Sequence, residues 1–254
     1  LFMVRGMDFF RIPWHGEKEH VKHERLHAPV GKFLRHAIFG MNDGLVSTLA
    51  LMAGLAGAAM RKEVIVIAGL AEMMAGAISM SLGTYISTKS QLEFYGEEIE
   101  KEKKDLDNSP QMEKEHVREI YRRKGFVGKE LDRVVERLTS NKKRWLNILV
   151  NEELGLNNSK MESAWISGVV MFFAFIIGAF IPLSSFVFVP MSFALKAAIT
   201  SSLLLLFFVG AGKTHFTGRS WIKSGFEMVF VGILATGVAY YLGDFVSGYV
   251  AYLI

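Results

Sequence analysis

Cysteine is absent from the 254 residues, and with it disulfides, zinc–thiolate sites and thiol chemistry. No cleavable signal peptide is expected either. The N-terminal segment carries scattered charges (Arg5, Asp8, Arg11, Glu17, Lys18) and no apolar run ahead of a small-residue cleavage site. The first membrane helix is therefore expected to be its own targeting signal. A nucleotide-binding loop is missing as well. Gly210-Ala-Gly-Lys-Thr214 is too short for Gly-x-x-x-x-Gly-Lys-Ser/Thr, which argues against ATP-driven pumping. There is no internal repeat and no low-complexity tract.

What is abundant is apolar residue, at 51% of the chain, with a mean hydropathy of +0.28. It falls into blocks long enough to cross a bilayer, for which about 20 apolar residues suffice. The blocks run from Ala37 to Met60, Val64 to Ser87, Ala164 to Leu183, Pro190 to Val209 and Phe226 to Leu253. The expected breaks are a tight turn at Arg61-Lys-Glu63, a stretch at Pro182-Leu-Ser-Ser185, and a polar run from Gly210 to Lys223. These blocks predict an all-α polytopic membrane protein with five spans and a charged helical insert between the second and third. The expected organisation is an N-terminal segment 1–35, spans one and two over 36–88, the insert over 89–160, and spans three to five over 161–254.

Orientation follows from the basic residues, of which 26 of 29 fall on the side shared by the N-terminus, the insert and the 210–223 loop. Only Arg61, Lys62 and Lys196 lie opposite, and Lys196 can snorkel. The short flanks agree: Lys32 and Arg35, Lys89, and Lys213, Arg219 and Lys223. The side rich in lysine and arginine is read as cytosolic. The basic residues are thus orientation determinants rather than a nucleic-acid surface, despite a formal charge of +4. The N-terminal segment also carries His15, His20, His23 and His27, to which no role is assigned.

The insert reads as helices. Lys89 to Asp107 continues helix 2, Asn108-Ser109-Pro110 restarts a helix that stops at Lys124-Gly125, and two more run over 128–138 and 142–154, the last ending at Gly155.

Ionisable residues inside a membrane span are costly and by default mark a pathway. Asp43 lies near the start of span one and Glu72 in the middle of span two. Glu72, Gly76, Ser79, Met80 and Gly83 share one helix face. Carboxylate and thioether together could hold a partly dehydrated divalent metal. The competing reading makes each carboxylate a structural partner of a hydroxyl or backbone group, and Met73, Met74 and Met80 ordinary packing. Glu227 and Asp244 are weaker candidates. Gly69, Gly76 and Gly83 on helix 2, with Gly54 and Gly57 on helix 1, predict close contact of helices 1 and 2 with each other or between subunits.

In the insert, Glu97, Glu98, Glu100 and Glu102 crowd the extension of helix 2. Glu102 and Asp105, and Glu113 and His116, are three apart, so each pair can converge on one face; Glu153 lies on the fourth helix. Such donors could chelate divalent iron, manganese or zinc, although glutamate- and lysine-rich helices are commonly just solvated faces. A ferritin-like di-iron oxidase would need two Glu-x-x-His units, and only Glu113-Lys-Glu-His116 fits.

Four segments resemble the vacuolar iron transporter family, which takes in yeast-type iron/manganese transporters and prokaryotic relatives. They are Asn42-Asp-Gly-Leu45, Ala75-Gly-Ala-Ile-Ser-Met80 with Gly83 and Tyr85, Glu153-Leu-Gly-Leu156, and Phe216-Thr-Gly218 with Lys223-Ser224. The resemblance covers nearly the whole chain from about residue 30. It implies a non-enzymatic homodimer in the lipid bilayer that exchanges Fe(II), and often Mn(II), for protons. The host is a vacuolar-type membrane or a prokaryotic plasma membrane. It also implies a pathway between subunits at Asp43, Glu72 and Met80, and metal ligands at Glu102, Glu113 and Glu153. Asp105 and His116 stand where that family's plant members carry glutamate, and Leu149 where they carry methionine. Asp and His remain competent ligands, Leu149 does not, and His116 is expected to shift selectivity towards Zn(II) or Co(II) or to weaken binding at low pH. A metal-gated channel or sensor built on the same insert is the alternative, separable by its indifference to a pH gradient.

Overall fold

The computed structural model describes residues 17–155, 163–217 and 220–253, with side chains over 33–155, 163–214 and 220–249. The N-terminal histidine side chains, Leu156, the Phe216-Thr-Gly218 segment and Arg219 lie outside these limits.

All the described elements are helical. They are α1 (Glu17–Gly57), α2 (Lys62–Asn108), α3 (Pro110–Arg123), α4 (Gly128–Thr139), α5 (Lys142–Ile148) with a π-helical turn Leu149–Glu153, α6 (Ala164–Phe188), α7 (Met191–Thr217) and α8 (Trp221–Leu253). Five helices, α1, α2, α6, α7 and α8, are long and apolar enough to cross a membrane. The chain is an all-α polytopic membrane protein.

Helices α1 and α6 form the centre. α6 packs against both α1 and α2, α8 lies along α1, and α7 closes the other side against α8 and α6. Small residues set these contacts. A Cβ on Gly40 would meet Met171 and Ala174, and one on Gly44 would fall onto the Phe175 carbonyl, so α1 and α6 run parallel and nearly touch. α2 runs antiparallel to α6, with Gly69 against Leu183 and Gly76 against the Phe175 ring. The expected α1–α2 glycine contact is present at Gly69, which also meets Met52 of α1, whereas Gly76 faces α6 instead. Gly54 and Gly57 face Ala239 and Tyr240 of α8, and a Cβ on Gly83 would meet no other helix within 4 Å among the described residues. Helix spacing shows that a small-residue stripe exists, but not which helix fills it.

Two turns depart from expectation. α6 passes through Pro182 and ends only at Val189, whose extended backbone (φ −103°, ψ 141°) is what a following proline demands. Pro182 removes a single N–H from a buried stretch, and the neighbouring Ser184 donates its hydroxyl to the Ile181 carbonyl at 2.7 Å. Likewise α1 turns earlier than Arg61. Met60 N–H reaches back to Leu55 O (3.0 Å) and Ala59 N–H to Ala56 O (3.1 Å), with Ala59 at φ 54°. That pattern is a Schellman stop with alanine in the left-handed position. Lys62 then opens α2, and its ammonium donates to the Val187 and Val189 carbonyls at 3.3 and 3.0 Å, tying the α1–α2 corner to the end of α6.

The insert has its own core. Leu106 from the α2 extension packs with Val117 of α3, Leu131 and Val135 of α4, and Leu149. Around it the surface charges pair locally: Lys101 with Glu98, Lys103 with Glu100, and Arg118 with Glu115 and Asp132. Such exposed pairs are screened by solvent and contribute little to stability. They account for Glu98 and Glu100 without any ligand.

Candidate functional site

Three helical segments of the insert meet at one group of donors. Pro110 starts α3 at its first position, where a missing N–H costs nothing. Three residues into the helix Glu113 points inward, only 3% exposed, and one turn on His116 lies on the same face. His116 Nδ1 is 3.2 Å from Glu113 Oε2 and 3.7 Å from Glu153 Oε1. One ligand atom from each of Glu113, His116 and Glu153 lies within 4.8 Å of the others.

Glu153 reaches this group through a feature that the sequence reading did not contain. The fourth insert helix, expected as one α-helix to residue 154, widens after Ile148 into a π-helical turn. Leu154 N–H bonds Leu149 O, five residues back, at 3.2 Å. The wider turn keeps Leu149 fully buried in the insert core while re-aiming the acidic pair beyond it. Glu152 then pairs with Lys124 at the end of α3 (2.6 Å), leaving Glu153 to face His116. Gly155, at φ 63°, takes the left-handed conformation that ends the segment. Leu149, which has no donor atom, is a core residue of this domain.

Glu102, on the α2 extension, faces the cluster. Burial, then the nearby carboxylates of Glu153, Glu113 and Asp105, push its carboxyl up to about 7, with His116 pulling the other way. Asp105 is exposed and stands outside the three-residue group. The cluster thus holds more negative charge than it can comfortably ionise, an arrangement that a divalent cation relieves.

A pH dependence follows. The raised Glu102 carboxyl is largely protonated below pH 7 and would have to lose its proton for a divalent cation to be held at the cluster. Affinity at this cluster is therefore expected to fall by up to about tenfold per pH unit below 7 for that one group. Glu102→Gln is expected to shrink the dependence. Calorimetric titration of the full-length protein with Mn(II) on both sides of pH 7 reads this, and a flat wild-type profile would refute it.

In the membrane region Asp43 lies on α1 and Glu72 on α2. Both are half-buried. Met80, two turns along α2, packs at the edge of the Ala77–Phe175–Ala179 cluster together with Met73, whereas Met74 is exposed. The remaining polar candidates stand apart: Glu227 lies 3.8 Å from Lys213 at the end of the bundle, and Asp244 and Lys196 are exposed.

Comparison with known proteins bears directly on this arrangement. The model of the VIT family matches residues 34–244, spanning every membrane helix and the whole insert. The chain belongs to the VIT family. Vacuolar iron transporter 1 of Arabidopsis thaliana is 36% identical over 226 residues, covering 89% of this chain and 90% of that protein. Vacuolar iron transporter 2 of Oryza sativa subsp. japonica is 35% identical over 220 residues, covering 86% of this chain and 89% of that one. The vacuolar iron transporter of Plasmodium berghei is 31% identical over 232 residues, covering 87% and 85%. These VIT-family relatives carry the names of transporters, not of enzymes.

Proposed function

We propose that this VIT-family chain is a carrier for divalent metal, Fe(II) first and Mn(II) with it. It moves the ion out of the cytosol in exchange for protons, across a vacuolar-type or prokaryotic plasma membrane. The observation that carries the reading is the presence of two half-buried carboxylates, Asp43 and Glu72, on neighbouring and otherwise apolar spanning helices. A carboxylate there is expensive unless a cation or a proton neutralises it, and exchanging the one for the other is what an antiporter does.

The insert is the cytosolic capture site, with Glu113, His116 and Glu153 as its nearest-packed donors and Glu102 and Asp105 beside them. Its mixed oxygen and nitrogen set suits Fe(II), Mn(II), Zn(II) and Co(II). Asp43 and Glu72 then receive the ion after it sheds water, with the Met80 thioether as a softer third donor. A homodimer is supported by the outer face of α2, where Ile67, Leu70, Met74, Ile78 and Leu82 are exposed alongside the carboxylate helix face. A second copy on that face would enclose the pathway between subunits.

The test is uptake of Fe(II) and Mn(II) into proteoliposomes with and without an imposed pH gradient. The expected result is uptake that scales with the gradient. Uptake that follows only the metal gradient and voltage would make the protein a channel, and no uptake of any divalent metal would overturn the transport reading.

A further inference from the structure

We propose that Ser47 belongs to the membrane site, supplying a neutral oxygen ligand to the divalent cation between Asp43 and Glu72. This rests on the transport reading above and adds to it a residue that it does not contain. Ser47 and Thr48 lie in the apolar middle of α1. Their hydroxyl oxygens are buried, and neither has a hydrogen-bond partner among the described residues. Helical serines and threonines ordinarily satisfy themselves on a carbonyl three or four residues back. Ser184, Ser201, Thr214 and Thr236 all do so here. Ser202 of α7 and Ser224 of α8 join Ser47 and Thr48 in lacking a partner among the described residues, but stand on helices that carry neither Asp43 nor Glu72. Ser47 and Thr48 are oriented otherwise, and an unpaired hydroxyl in a hydrocarbon setting is costly unless something else pairs with it.

The two point in different directions. Ser47 follows Asp43 by four residues, so it shares that carboxylate's face of α1. Thr48, about 100° further round by helical geometry, lies on the stripe of Leu45, Leu49 and Met52, fully buried in the bundle core.

Height along the helices places Ser47 between the two carboxylates. Gly69 of α2 sits against the Met52 sulfur, where an added Cβ would come within 3.2 Å. α1 runs parallel to α6 and α2 antiparallel to it, so α2 descends past α1. At about 1.5 Å per residue, Glu72 lies some three residues, or roughly 4.5 Å, nearer Asp43 than Gly69 does. That is the level of Leu49, about 3 Å from the level of Ser47, while Asp43 lies about 6 Å on the other side.

The chemistry fits the position. Fe(II) and Mn(II) are oxygen-seeking ions that favour high coordination numbers. Two carboxylates and one thioether leave such an ion short of ligands once its water is stripped. A hydroxyl adds an oxygen without adding charge, so it leaves the proton exchange at Asp43 and Glu72 intact.

The experiment compares wild type, Ser47→Ala and Ser47→Cys as full-length protein. Ser47→Ala is expected to raise the metal concentration for half-maximal uptake by about tenfold, the weight of one hydrogen-bond-strength contact to a charged group. Its melting temperature should stay the same or rise, because an idle buried hydroxyl has been removed. Ser47→Cys offers a soft donor and is expected to shift preference from Mn(II) towards Cd(II). Because the chain has no native cysteine, an ultraviolet Cd(II)–thiolate charge-transfer band in that variant reports ligation at this position directly. Wild-type half-saturation in Ser47→Ala together with no band in Ser47→Cys would overturn the assignment. Failure of the transport reading looks different: wild type itself would move no divalent metal, whatever the variants bind.

Discussion

Glu72→Gln is expected to abolish gradient-driven metal uptake while leaving the protein folded. Glutamine keeps the shape of glutamate and removes its charge, so helix packing around the position is undisturbed. What is lost is one of two anionic oxygens for the cation, and the group that would take up the returning proton. Removing one partner from a charged pair in a poorly solvated site costs about 3 kcal/mol, or roughly a hundredfold in affinity. The electrostatics of the empty state run the other way. An ionised carboxylate among apolar spanning helices is costly when no cation lies beside it, so neutralising Glu72 should hold or raise the melting temperature. The informative result is therefore transport lost with stability kept. Uptake at wild-type rates in Glu72→Gln would remove this carboxylate from the pathway, and parallel loss of transport and of folded protein would make it structural.

The second large effect is expected at the α1–α6 contact. A Cβ on Gly44 would fall onto the Phe175 carbonyl, with Ala179 N at 3.0 Å, and one on Gly178 would fall onto the Met41 carbonyl, with Leu45 N at 3.0 Å. The obstructing atoms are main chain and cannot swing aside, so the two helices must separate. Gly44→Ala and Gly178→Ala are each expected to cost about 3 kcal/mol, the upper end of the range for overpacking a well-fitted interior. Gly83→Ala, with nothing within 4 Å, should be neutral or slightly stabilising, alanine being the better helix former by up to about 1 kcal/mol. Thermal unfolding of the three variants in detergent decides it, and equal melting temperatures would refute the argument. The contact also bears on function. Gly44 follows Asp43 directly, so the seat of α1 on α6 sets the rotation of α1 and hence the direction of the carboxylate.

The hydropathy blocks and the charge shift at residue 88 are local properties, and by themselves they determined that the chain is helical, crosses the membrane and carries a charged insert. The same holds for the choice of Asp43 and Glu72, because a carboxylate in an apolar run is conspicuous without any structure. Family membership was likewise legible from short segments such as Asn42-Asp-Gly-Leu45. Tertiary structure alone decided which glycine faces which helix. It showed that Pro182 lies inside α6 instead of ending it, and that a π-helical turn aims Glu153 at His116 while Leu149 fills the core. It alone revealed Ser47 as a buried hydroxyl with no partner among the described residues. The physical reason is common to all of these. Helical periodicity reports the direction of a side chain around its own axis. What lies in that direction depends on the packing of segments that are tens of residues or more apart in the chain.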